Sequence, residues 1–143
     1  MASEITVGPT AVVTIAGNTV DGTAGEAIDA GEFVYKKASD SKFYLADCDA
    51  VAVAADSECD NVVGMALCSA GVSQPIRIQT TGTVTTDAVF TVGLALYLSN
   101  VAGKSTSTWT DLNATDWITT LGVPSATTII NLDINRTSIQ KPA

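Results

Sequence analysis

Three cysteines, a scatter of carboxylates and no histidine bound the chemistry open to this 143-residue chain. Without an imidazole, Ser-His-Asp and Cys-His arrangements are excluded, along with most zinc sites and the commonest general base. Cys48, Cys59 and Cys68 each have acidic or apolar neighbours, the wrong surroundings for a thiolate nucleophile. The densest set of oxygens is Asp47, Asp49, Asp56, Glu58, Asp60 and Asn61. Its alternating members Asp56, Glu58 and Asp60 resemble the opening of a calcium loop. The match then fails, because Asn61 stands where the turn needs glycine and Leu67 where the bidentate glutamate belongs. A paired-carboxylate hydrolase needs two acids held across a cleft, which linear spacing does not supply. The segment reads as a solvated acidic loop, with weak cation binding as the alternative. Gly17-Asn18-Thr19-Val20-Asp21-Gly22 lacks the Lys-Ser/Thr ending of a phosphate loop and opens no helix. No catalytic residue, metal or cofactor is expected, and the chain is not expected to be an enzyme.

Charge narrows the partners. Fifteen acidic residues against seven basic ones leave a net charge of −8. The only adjacent basic pair is Lys36-Lys37, whereas a nucleic-acid binder clusters such residues to neutralise phosphates. Neither nucleic acid nor an anionic membrane is an expected partner, and no run approaches the ~20 apolar residues of a membrane helix. Charged residues make up only 15% of the chain, so a polar, uncharged surface suited to contact with neighbouring subunits is expected. The first residues, Met1-Ala2-Ser3-Glu4-Ile5, show neither the basic nor the apolar region of a secretory signal. Cytoplasmic synthesis and reduced thiols follow as expectations, and an odd cysteine count argues against a closed disulfide framework. Cys68, which ends the apolar run Val62-Val63-Gly64-Met65-Ala66-Leu67, is expected as a buried small hydrophobe.

The elements that must position these residues are short β-type runs. Glu32-Phe33-Val34-Tyr35-Lys36 alternates with period two, and Ser39-Asp40-Ser41 turns the chain into Lys42-Phe43-Tyr44-Leu45, a hairpin pattern. Ala11-Val12-Val13-Thr14-Ile15 precedes a turn at Gly17-Asn18. The run from Val62 is suited to a central strand. Ile76-Arg77-Ile78-Gln79-Thr80 and Ile130-Asn131-Leu132-Asp133-Ile134 alternate cleanly, and Thr83-Val84-Thr85 and Leu94-Ala95-Leu96-Tyr97-Leu98 complete the series. Residues 46–60 and 111–117 could be helical, but neither is long enough to organise a fold. The reading is all-β: a single-domain β-sandwich, jelly-roll-like, with short or no helices.

The series repeats itself. Gly31 and Gly93 each precede a tyrosine by four residues, Tyr35 and Tyr97. After 29 and 25 residues respectively come Gly64 and Gly122, each inside an apolar run, and twelve residues later Ile76 and Ile134. Two similar strand–loop–strand–strand units pairing their apolar faces would give this spacing. So would chance in a chain that reuses Gly and Val.

Pattern weakens at both ends, which places an N-terminal arm at 1–10, the sandwich domain at 11–135 and a C-terminal tail at 136–143. The ends read either as frayed termini or as arms that order on a neighbour. On the second reading Ile5, Val7, Pro9, Arg136, Ile139 and Pro142 are candidate contacts with a neighbouring subunit.

Val62-Val63-Gly64-Met65-Ala66-Leu67, followed by Gly71-Val72-Ser73-Gln74-Pro75-Ile76-Arg77-Ile78-Gln79-Thr80-Thr81-Gly82-Thr83-Val84, resembles the capsid cement, or head decoration, proteins of tailed bacteriophages. Ala30-Gly31-Glu32-Phe33-Val34-Tyr35 and Leu121-Gly122-Val123 with residues 129–134 extend the resemblance over roughly residues 25 to 135. Lys36, Lys37 and the cysteines belong to no part of it. The resemblance implies a structural protein on the outer surface of an icosahedral virion, bridging major capsid proteins and resisting internal DNA pressure. It implies the major capsid protein and further copies of this chain as partners, with a homodimer preferred over a homotrimer. The alternative from another class is a β-sandwich carbohydrate-binding or adhesion module. It would use Trp109 and Trp117 as stacking faces and Asp111, Asn113 and Asp116 as hydrogen-bonding groups.

Overall fold

The computed structural model describes residues 13–37, 40–46, 62–86, 90–99, 103–107 and 117–140, with the backbone alone at 13–15, 117 and 136–140. The described residues contain strands and turns and no helix. Eleven strands follow in chain order: β1 Val13–Ala16, β2 Thr19–Thr23, β3 Phe33–Lys36, β4 Phe43–Leu45, β5 Val62–Ala66, β6 Pro75–Gln79, β7 Thr81–Thr85, β8 Leu96–Leu98, β9 Ser105–Thr106, β10 Trp117–Ala126 and β11 Ile129–Gln140. They form a six-stranded sheet ordered β1-β7-β11-β10-β8-β9 and a five-stranded sheet ordered β2-β6-β5-β3-β4. Every pair within the sheets is antiparallel. The fold is an all-β sandwich.

The chain changes sheets at one shared corner. β1 pairs with β7 in the larger sheet and β2 with β6 in the smaller. Only Gly17-Asn18 separates β1 from β2, and only Thr80 separates β6 from β7. Two antiparallel strands therefore bend over together, as strands do when they carry a sheet round a corner. The bend brings backbone against backbone. Gly17 (φ 131°) and Gly82 (φ 98°) adopt conformations that side chains disfavour. Behind them the fully buried Gln79 donates from Nε2 to the carbonyls of Ala16 at 2.9 Å and Thr81 at 3.0 Å.

Beyond the corner the two sheets repeat one topology. Strands β2 to β6 lie in the order first, fifth, fourth, second, third, and strands β7 to β11 lie in that same order. The registers agree: Val20 faces Ile78 and Asp21 faces Arg77, as Gly82 faces Leu132 and Thr83 faces Asn131. Gly31 (φ 91°) and Gly93 (φ 86°) turn the chain alike before β3 and β8. A Cβ on Gly64 would overlap the carbonyl of Gln79, and one on Gly122 the carbonyl of Asn131, so both glycines mark a close approach of the neighbouring strand. One detail of the sequence echo changes. Gly22 faces Ile76 as Val84 faces Ile130, and Ala66 faces Ile78 as Pro124 faces Ile130, so the registers set Ile130, not Ile134, against the Ile76–Ile78 stretch of β6.

The halves do not meet by matching faces. Between the sheets lie Phe33, Tyr35 and Met65 of the smaller one against Leu96, Leu98, Leu121, Ile130 and Leu132 of the larger. Val34, Ala66, Ile76 and Ile78, on the reverse face of the smaller sheet, form a second core with Ala24, Ile28, Phe43 and Ala70. The segment from Ala24 to Ala30 covers that face, and Ile28 and Ala70 exchange backbone hydrogen bonds (2.9 and 2.8 Å) to hold it down. Each buried aliphatic or aromatic side chain contributes roughly 1.5–3 kcal/mol. The counterpart positions Val34 and Leu96 are thus both buried, but in different cores. Tyr35 points between the sheets, whereas Tyr97 faces outward.

Candidate functional site: the outer face of the six-stranded sheet

Alternation along β11 builds this face. Ile130 and Leu132 are buried and Ile134 packs on the same core, so Asn131, Asp133 and Asn135 point out and are exposed. Successive members of that ladder stand about 7 Å apart, two residues of extended chain. Thr83 Oγ1 donates to Asn131 Oδ1 at 3.0 Å, fixing the amide from the neighbouring strand. Thr120, opposite both Asn135 and Tyr97, donates from Oγ1 to the Asn135 carbonyl at 3.4 Å.

A β-bulge interrupts β10 between Thr120 and Gly122 in its pairing with both β8 and β11. Gly122 sits at φ 148° with its Cα against the Asn131 carbonyl, a conformation and approach only glycine allows. The surface sinks there into a shallow depression of about 330 Å³. Its described lining is Thr120, Gly122 and Val123 of β10, Asn131, Asp133 and Asn135 of β11, and Ala95 just before β8. Among the described lining residues Asp133 alone is charged. An apolar strip adjoins it: Val92, Leu94 and Val123 are 54%, 49% and 43% exposed, and Gly93 N–H donates to the Pro124 carbonyl at 3.3 Å, binding the turn to β10.

A second polar cluster is a clasp on the β3–β4 hairpin. The Tyr44 hydroxyl donates to Asp40 Oδ2 at 2.5 Å, and Lys42 N–H to Asp40 Oδ1 at 3.0 Å. Lys37 Nζ lies 5.1 Å from the Tyr44 ring centre. The Tyr44 bond, then the Lys42 bond, holds the Asp40 carboxyl below its ordinary value, and the same bond to Asp40 raises the Tyr44 phenol. On the exposed face of β2 and β6, Arg77 Nε donates to Asp21 Oδ1 at 2.8 Å, and this bond, with the guanidinium charge behind it, lowers the Asp21 carboxyl.

The sequence-selected residues fall as follows. Arg136 and Ile139 lie in β11, opposite Thr119 and Ile118, so the strand continues past residue 135 to Gln140. Ile5, Val7, Pro9 and Pro142 lie outside the described residues, as do Cys48, Cys59, Trp109, Asp111, Asn113, Asp116 and the acidic series 47–61. Trp117 opens β10. Cys68 is not the buried hydrophobe expected: β5 ends at Ala66, the chain bends away from the sheet, and the thiol is exposed. Asn131 and Asp133 were legible as the polar half of the alternating run 130–134; Asn135 joins them because β11 continues beyond it. What made them a site, the bulge that opens the surface beside them, depends on pairing across strands.

The two ends of the described chain leave the larger sheet at opposite ends. Val13 stands in one row with Thr85 and Ile129, whereas Gln140 stands opposite Trp117 at the far end of β11. A twelve-residue strand spans about 40 Å at ~3.3 Å per residue. No protein-family model matches the chain, and no curated protein matches it.

Proposed function

We propose that this chain is a non-catalytic structural protein, a cement that binds the outer surface of an icosahedral phage head and bridges its major capsid proteins. The observation that carries the reading is the departure of the two chain ends from opposite ends of one sheet, separated by the length of β11. A rigid sheet that the chain enters and leaves at opposite ends can hold two neighbours at a fixed spacing. Each contact then raises the effective concentration of the other, so modest contacts combine into firm attachment. The resemblance of residues 25 to 135 to head decoration proteins supports the same role, and the charge-poor surface suits burial against protein. In this reading the chain works at the virion surface, its partners are the major capsid protein and a second copy of itself, and residues 1–10 supply one of the capsid contacts.

Sedimentation with expanded, undecorated phage heads tests the proposal. The full chain is expected to travel with the heads at fixed stoichiometry and to raise the temperature at which they release DNA. A chain lacking residues 1–9 is expected to keep its melting temperature and lose occupancy. Recovery of the full chain only as a free species at every head concentration would refute the role.

A further inference from the structure

We infer that the depression beside Gly122 is a binding site for a neutral polyhydroxylated ligand, a sugar ring. Its existence follows from the internal repeat. Tyr35 and Tyr97 are counterparts, as are Val34 and Leu96, which makes Ala95 the counterpart of Phe33. In the first half the Phe33 ring is buried between the sheets. In the second half the equivalent face is outward and a methyl group stands where the ring would be, leaving the space open beside the Asn131-Asp133-Asn135 ladder.

The lining selects the ligand by exclusion and by fit. A phosphate or carboxylate would meet Asp133 with no Lys or Arg among the described lining residues. A divalent cation would find a single carboxylate among the described lining residues, too few charged oxygens for a calcium site. A wholly apolar ligand would strip water from two carboxamides, a carboxylate and a hydroxyl without replacing their hydrogen bonds. Vicinal hydroxyls both donate and accept, and carboxamides, a carboxylate and a hydroxyl in the described lining offer both complements. The C–H side of a sugar ring would lie on Ala95 and Val123. At about 330 Å³ the depression lies at the small end of ligand sites, which run from ~300 Å³ upward. The site goes beyond the cement role and stands independently of it.

The test is nuclear magnetic resonance on the full ¹⁵N-labelled chain titrated with glucose, galactose, mannose and N-acetylglucosamine. At least one sugar is expected to shift the Asn131 and Asn135 side-chain amides and the Gly122 N–H, saturably. Asp133→Ala is expected to weaken that sugar about tenfold or more, as loss of a charge-assisted hydrogen bond does. Ala95→Phe, which restores the ring of the first half, is expected to abolish binding while leaving the amide spectrum elsewhere unchanged. Three results would overturn the site: no shift with any sugar, shifts that survive Ala95→Phe, or the same shifts produced by calcium chloride alone.

Discussion

Gly17 and Gly82 meet backbone to backbone at the corner where the chain passes between sheets: a Cβ on Gly17 would overlap the Thr81 carbonyl, and one on Gly82 the Ala16 carbonyl. Both also hold positive φ. Gly82→Ala is expected to cost on the order of 2–4 kcal/mol, backbone strain plus over-packing. Gly93→Ala provides the comparison, since its φ is also positive (86°) but nothing stands within 4 Å. Conformational strain alone should limit its cost to about 1 kcal/mol. Urea unfolding of both variants measures the difference, and equal costs would mean that the corner is not close-packed.

Gln79 ties the same corner from inside. Its Nε2 reaches the carbonyls of Ala16, Thr81 and, at 3.3 Å, Thr83. Gln79→Leu keeps the bulk and removes the donor, so roughly 1–3 kcal/mol of stability should be lost. Thermal melts would register this, with Thr80→Ala, at the exposed edge of the corner, expected to change little.

The Tyr44–Asp40 clasp makes a pH prediction with opposite signs at its two ends. Asp40 is lowered, so its contribution is present above the ordinary carboxylate value of 3.8 and is lost as pH falls through the depressed folded value. Tyr44 is raised, so its contribution is present below 10.0 and is lost as pH climbs through the raised folded value. Ultraviolet titration should find the Tyr44 phenol ionising above 10.0, and Asp40→Asn should bring it back down. An unchanged titration in Asp40→Asn would show that the hydroxyl donates elsewhere in solution.

Cys68 is exposed in the bend after β5. Native protein should therefore take up iodoacetamide at Cys68 without denaturant, with peptide mapping by mass spectrometry as the readout. Labelling at Cys68 only after unfolding would place it back in the core.

Period-two alternation determined β3, β4, β6 and the inner part of β11, and the apolar run from Val62 determined β5, because side chains on successive residues of a strand face opposite sides. The repeat was also legible, since glycines at Gly31, Gly93, Gly64 and Gly122 recur where the backbone turns or neighbouring strands approach. β2 was not legible: Thr19-Val20-Asp21-Gly22-Thr23 reads as a glycine-containing loop and becomes a strand only by pairing with β6. Sheet membership was equally hidden, because the corner at Gly17 and Gly82 is a long-range meeting of segments over sixty residues apart. Whether an alternating strand buries one face or two also depends on what covers it. Val34 and Tyr35 both lie in cores, on opposite sides of one sheet, while Tyr97 and the Asn131-Asp133-Asn135 ladder remain outside. Local pattern sets which residues share a face; tertiary packing decides which faces meet water, and that choice creates the candidate site.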